Sequence, residues 1–379
     1  MVKNILILGA TGYAGSSILA AFMDHTKSSS YTVTALVRNA EKAQKLKAFG
    51  VRTVVGSQTD VPLLEKLASE ADYFINAADA DSMEVAQAAL KGLKKRYQTT
   101  GSKSHFLHIS GTGVVADKAV GTFSDNIWYD DNLEQLDTID PEALHRNVEL
   151  LLIDADKSGY VNSYIVSPPT IWGQPTHAFA KAGISHTQSI QIPALIKVSL
   201  ARGAGSYVGE GRNVWDNCHV DEVGAFYVKL YDHIEAGKAT HGREGVYFVR
   251  ADEHSLYDIG KAIGKALYDA GKVTSPEPKP FTQEELDNFF GAFQRYFACN
   301  ARARGPRGLS TGWRPVRTTK DLLENIRVEV QLTLAGMEEP KPAAKAAAAP
   351  APAATPAPAP PVRRRSLLKW GRGLFSRKH

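Results

Sequence analysis

The stretch Lys3–Leu19, KNILILGATGYAGSSIL, sets an apolar run before Gly9, Gly12 and Gly15 and opens a segment that carries Ile18, Leu19 and Phe22 at helical spacing. A strand, a tight turn and a helix start in that order aim free N–H groups and the helix dipole at an anion. Glycines let the backbone approach a pyrophosphate closely. The stretch therefore predicts a dinucleotide-binding turn contacted by Gly9, Thr11, Gly12, Tyr13 and Gly15.

Outward from that turn, short β-branched runs recur between amphipathic stretches: YTVTALV, VRTVV, DYFINAA, HFLHIS and VNSYIVS, up to residue 168. Such alternation predicts an α/β fold, a doubly wound parallel Rossmann sheet. From 169 the rhythm loosens, with Gly and Pro punctuation, one further strand candidate GVYFVR at 245–250, and helices near 188–201, 255–270 and 319–333. These form a small C-terminal substrate lobe. The expected boundaries are a Rossmann domain over 1–250 with a substrate-lobe insertion at about 170–215, a lobe over 251–335, an Ala/Pro-rich linker over 336–362 and a basic tail over 363–379.

The second strand ends in TALVRNAEK, where an acid would suit the ribose hydroxyl of NAD and a basic residue the 2′-phosphate of NADP. Arg38 stands there, with Lys42 nearby. NADP is the expected cofactor, and NAD the alternative.

The chain has 379 residues, 45 Lys and Arg against 40 Asp and Glu. Nine of the basic residues and none of the acids follow Pro340, so the body is acidic and the net positive charge belongs to the tail. Charge gives no support to nucleic-acid binding by the folded part. Two cysteines, Cys218 and Cys299, without metal-ligand spacing suit a reducing compartment and no metal. The first apolar run is too short for a signal peptide or a membrane span, so a cytoplasmic protein is expected. The Ala/Pro stretch cannot pack a core and is expected as an extended linker. In the tail, RRRSLLKWGRGLFSRKH, apolar residues fall at helical spacing among basic ones, a pattern for a basic amphipathic segment that folds only on binding and lies on anionic membranes or docks a partner groove, with a nuclear-import signal and a plain disordered terminus as the alternatives.

The GxxGxxG spacing, NAA at 76–78, HISGTG after the fifth strand, YIVSPPTIWG, NVWDNCHVDEVGAFYV and GWRP together resemble the short-chain dehydrogenase/reductase superfamily in its extended, epimerase-like branch, over residues 3–333. The resemblance implies cofactor contacts from Ala77 and Ala78, a Pro168–Thr170 segment near the nicotinamide, a small-molecule substrate and a homodimer. In that family a Ser or Thr after the fifth strand polarises the substrate oxygen, which places Thr112 in that role with Ser110 beside it. A Tyr with a Lys four residues on moves the proton. This sequence has His145 and Glu149 in those places.

Tyrosine titrates near 10 and needs a cation's help, whereas histidine titrates near 6.5 without one. At i and i+4 Glu149 would face His145 and favour its imidazolium, a coherent acid. The alternative is a surface pair beside a pocket that binds cofactor without turnover, as in relatives that serve as cofactor-sensing regulators. Two YxxxK matches, Tyr257–Lys261 and Tyr268–Lys272, lie too far along the chain to reach the nicotinamide. Weaker candidates are a lid over Trp128–Asp131 and an anion grip by Arg302, Arg304 and Arg307.

Overall fold

The computed structural model describes residues 2–291 and 294–338. The expectations placed on the linker beyond Glu338 and on the basic tail lie outside the described residues. β1 (Lys3–Leu8) leads through the glycine turn into α1 (Tyr13–Met23). The alternation continues as β2 (Tyr31–Val37), α2 (Ala40–Lys47), β3 (Arg52–Val55), α3 (Val61–Ala68), β4 (Tyr73–Asn76), α4 (Met83–Thr100) and β5 (Ser104–Ile109). Asn39, Asp60 and Ser82 start α2, α3 and α4 by accepting from the backbone N–H of Lys42, Leu63 and Val85. Gly101, at φ 71°, ends α4.

After β5 come a 3-10 turn over Thr112–Val115, the two-residue β6 (Trp128–Tyr129), α5 (Leu133–Asp137), α6 (Arg146–Lys157) and β7 (Val161–Ser167). β8 (Thr170–Trp172), α7 (Ala178–Lys181), α8 (Gln191–Arg202) and β9 (Ser206–Tyr207) then step into the second lobe, and β10 (Val214–His219) feeds α9 (Val220–Glu235) back onto the first. β11 (Val246–Phe248) is followed by β12 (Asp252–Ser255), α10 (Leu256–Asp269) and β13 (Lys279–Pro280). The described chain closes with α11 (Gln283–Phe290), α12 (Gln294–Ala298), β14 (Ala303–Arg304), α13 (Pro306–Ser310) and α14 (Thr319–Glu338). α14 thus runs past 335 into the start of the stretch read as linker.

Seven strands in the order β11-β7-β5-β4-β1-β2-β3, all parallel, make the main sheet. The expected doubly wound Rossmann architecture is present. The strand candidate at 245–250 joins this sheet as its edge instead of belonging to the looser region. Helices cover both faces, so the central strands read as unbroken apolar runs. On one face α1 and α9 bury Ile18, Leu19, Phe22, Phe226 and Tyr227, each no more than 1% exposed. On the other, α3, α4 and α6 bury Leu64, Leu93, Val148 and Leu152. Full burial of each such side chain contributes roughly 1.5–3 kcal/mol.

A third core, including Trp172, Ile196, Trp215, Ile259, Ile263, Leu322 and Ile326, belongs to the second lobe, around the small sheet β12-β10-β8. Strand order diverges on either side of β1 and β4, which puts a crevice at their carboxyl ends. Among the described residues no helix is long and apolar enough to cross a membrane.

Candidate active site

Two structures meet at that crevice. The first is the glycine turn. Gly9 has φ 79°, and a Cβ there would stand 2.3 Å from Ala77 O. A Cβ on Gly15 would stand 2.1 Å from Gly9 O. The turn is therefore folded against β4 and α1 as closely as backbone allows. Gly12 N donates to Gly9 O at 2.8 Å, and Gly12 caps α1 with no side-chain cap and no acid in the first turn. Unlike α2 to α4, α1 leaves its first N–H groups to an external acceptor. That arrangement fits the pyrophosphate of a dinucleotide.

Thr11 accepts His186 N–H at its carbonyl, 3.2 Å. Tyr13 donates its hydroxyl to Gly173 O at 2.5 Å, and burial pushes that phenol well above its usual range. Its hydroxyl ties the turn to the segment after β8. Arg38 is exposed at the end of β2, while Glu41 is held by Lys45 at 2.9 Å.

The second structure is a cleft of about 480 Å³ whose walls include Ala77, Ala78, Ser110, Thr112, His145, Pro168 and Thr170. Seven sequence-predicted residues from four separate segments thus share one hollow. Asn76 fixes the loop after β4, donating to Asp79 O at 3.0 Å and accepting from Ala78 N at 3.3 Å. His108 lies under that loop, with Nε2 3.2 Å from Ala80 O, and burial holds its imidazole down at about 4. Thr112 N donates to Pro168 O at 3.0 Å, and Thr170 Oγ1 donates to Gln191 at 2.7 Å.

His145 does not open the helix as expected. It is the N-cap of α6 at φ 71°, the single non-glycine residue with positive φ among the described residues. Because it stands outside the helical geometry, its ring leaves the face that Glu149 occupies. Its Nδ1 sits 2.7 Å from Asp81 Oδ1, and its Nε2 would lie 2.9 Å from a Cβ on Gly111. The ring therefore points into the cleft with a carboxylate behind it. Burial pushes the Asp81 carboxyl up, but the hydrogen bond and charge of His145, with His108, outweigh it and hold it below its ordinary value.

Glu149 corrects the i, i+4 pairing. It is 2% exposed, does not line the cleft, accepts from Ser110 Oγ at 2.6 Å, and takes Arg146 Nη1 at 3.1 Å. Arg146 also donates to Leu136 O at 3.1 Å. Glu149 thus anchors the start of α6 to the end of β5; its backbone N–H donates to His145 O at 3.2 Å, but its carboxylate is taken by Ser110 and Arg146 and not by the His145 ring. Ser110 gives its proton to Glu149, whereas Thr112 Oγ1 is buried with no hydrogen-bond partner among the described residues. Of the two hydroxyls, Thr112 keeps a donor free.

The weaker candidates are structural. Asp130 is fully buried, accepts from Phe248 N and Arg307 N at 3.1 Å each, and is pushed up to about 7 by burial. With β6 paired to β14, the Trp128–Asp131 segment is a seam and not a lid. Arg302 grips Glu253 with two bonds of 3.0 Å, Arg304 adds a third of 2.8 Å, and Arg307 bonds the Asp130 carbonyl. Both YxxxK pairs begin on α10 in the second lobe. Among the described residues no group of three or more His, Cys, Asp or Glu could hold a metal ion.

Asp81 is the member of the site that sequence reasoning missed. Its signal lay in NAADADS, a run of acids just past the loop already assigned to the cofactor.

The NmrA-like family matches over residues 1–91. An Acremonium sp protein named Oxidase ucsJ is 27% identical over 351 residues, 87% of this chain and 97% of that one. A Stigmatella aurantiaca protein named 4-hydroxy-2-methyl-3-oxo-4-farnesyl-3,4-dihydroquinoline-1-oxide ketoreductase is 24% identical over 237 residues, 57% of this chain and 61% of that one. Among solved structures, dTDP-glucose 4,6-dehydratase from Bacillus anthracis in complex with NAD superposes with a TM-score of 0.60 at 15% identity, covering 89% of this chain and 98% of that one. That likeness is one of fold.

Proposed function

We propose, from the premise that this chain has the extended short-chain dehydrogenase/reductase fold, that it is an NADP-dependent oxidoreductase that reduces a carbonyl group of a small molecule. The observation that carries the reading is the His145–Asp81 pair, 2.7 Å apart, aimed into the cleft between Ala77 and Pro168. Held at the glycine turn and by Ala77, Ala78 and Pro168, NADPH would supply the hydride that the carbonyl carbon takes. His145 Nε2 gives its proton to the carbonyl oxygen, which becomes a hydroxyl, and the ring regains a proton from water. Asp81 holds the Nδ1–H, fixes the tautomer and steadies the ring's positive charge. Thr112 offers the same oxygen a hydroxyl that no protein group takes. The names of the Acremonium and Stigmatella relatives, an oxidase and a ketoreductase, support this class of chemistry.

Arg38 would meet a 2′-phosphate in water-exposed geometry at the end of β2, where no acid competes. A second reading, a non-catalytic NADP-binding regulator, draws on the burial of Glu149 against Arg146, which leaves the family's lysine place without a polar group in the cleft. A screen of purified full chain for NADPH oxidation against aldehydes and ketones separates the two. Tight NADPH binding without turnover on any carbonyl would favour the regulator.

A further inference from the structure

A second cavity, of about 620 Å³, adjoins the cleft that holds His145. Gly113, Leu144 and Tyr296 line both hollows, so the two join at the segment that carries the imidazole. Its volume lies in the range of small-molecule sites. Val115, Ile139 and Leu286 form its floor, none more than 6% exposed, and Trp128 and Tyr296 add aromatic faces. Among the described residues its charged lining is three acids, Asp117, Asp140 and Glu142, against one base, Lys118, which stands exposed at the rim. Asp117 is turned onto Asn300, with bonds of 2.8 Å to the backbone and side-chain nitrogens.

Two physical consequences follow for whatever reaches His145 from this side. Acids at the rim, the exposed Asp140 and Glu142 among them, repel a diphosphate, an effect that salt screens. The arginines nearest in sequence to the role of phosphate clamp, Arg302 and Arg304, are already paired with Glu253, and freeing them would strand that acid. An apolar floor with aromatic walls favours burial of ring surface at roughly 25 cal/mol per Å².

We propose that this cavity takes the body of an uncharged, ring-containing, largely apolar ketone or aldehyde, with its carbonyl at His145, and does not take a nucleotide sugar. The inference rests on the reductase reading for the position of the carbonyl but on the cavity alone for the chemistry of the rest. It is tested by calorimetric titration of the NADP-bound full chain with benzophenone and fluorenone as probes and with UDP-glucose as the charged competitor.

Saturable binding of the aromatic ketones is expected, with none by UDP-glucose. Val115→Trp fills the floor and should weaken ketone binding by about tenfold or more, the equivalent of losing one buried ring contact. Val120→Trp, at the exposed mouth of the same cavity, gives the same test with less risk to folding. NADP affinity should stay unchanged in both. Failure of both ketones to bind, preference for UDP-glucose, or ketone binding indifferent to both substitutions overturns the inference. Ketone binding that the variants block, without NADPH oxidation, leaves it standing while removing the reductase reading. NADPH oxidation with a nucleotide 4-ketosugar and not with the aromatic ketones does the reverse.

Discussion

His145 Nδ1 lies 2.7 Å from Asp81 Oδ1, a bond made across 64 residues by a histidine held at φ 71°. A left-handed backbone at a residue with a Cβ costs on the order of 1–3 kcal/mol. Here that strain turns the ring away from the helix face where Glu149 sits and into the cleft. Helical geometry at residue 145 would have set the imidazole toward Glu149, away from the substrate.

His145→Ala should lower kcat by ~10² to 10⁴, the range for loss of a positioned acid, and leave NADPH affinity nearly intact. Asp81→Asn should lower kcat less, because the amide oxygen still accepts Nδ1–H while the charge is gone. Single-turnover rates with titrated NADPH affinity check both. A His145→Ala enzyme that keeps most of its rate removes the proton-donor role.

The Asp81 carboxyl is held below its unfolded value, so the sign is that of a stabilising acid. Its contribution is present above the ordinary carboxylate value and is lost as pH falls through the lower folded one. Thermal unfolding across the acid range should show the wild type losing stability more steeply than Asp81→Asn. Parallel curves would show that the pair adds nothing to folding.

Much of the fold was legible because its signals are local. Glycine spacing, strand runs and turn residues each act within a few positions, and they led to six of the seven strands of the sheet, whereas the residues of the cleft were placed by the resemblance to the superfamily. The His145 geometry was not legible, since a helix start cannot be located to one residue by periodicity. One residue of shift was enough to replace Glu149 by Asp81 as the partner. Asp130, Arg302 and Arg304 stayed open between packing or solvation and a role in the site for a different reason: their partners, Phe248 N–H and Glu253, come from distant elements that only the folded chain brings near.

Arg38→Ala should erase most of a preference for NADPH over NADH. An exposed guanidinium on a phosphate contributes through charge and is screened by salt, so the wild-type preference should also shrink as ionic strength rises. Titration of both dinucleotides at low and high salt reads this directly. Equal affinities in the wild type would reassign Arg38 to a solvated strand end.

Arg146→Ala should destabilise the protein by about 3–5 kcal/mol, because it leaves the buried Glu149 carboxylate without its cation. Leu136 O loses its donor as well. The urea midpoint should fall with little change in the kinetics of the fraction still folded. A small shift in midpoint would mean that Glu149 is protonated or hydrated in place.

Ser110 and Thr112 stand two residues apart after β5, yet the structure gives them opposite tasks. Ser110 Oγ donates to Glu149 at 2.6 Å, so Ser110→Ala strips a buried acid of a hydrogen bond and should cost roughly 1–3 kcal/mol of stability. Thr112 Oγ1 has no partner among the described residues, so Thr112→Val removes a hydroxyl without orphaning any of them and should leave the melting temperature nearly unchanged. If that hydroxyl serves the substrate oxygen, the same variant should lower kcat by at least about tenfold, the loss of one hydrogen bond formed in the transition state. Measured together, the two variants should separate stability from rate: one melts earlier with its folded-state kcat kept, and the other melts normally with its kcat reduced. Thr112→Val with full activity would leave His145 as the sole polar group acting on the carbonyl.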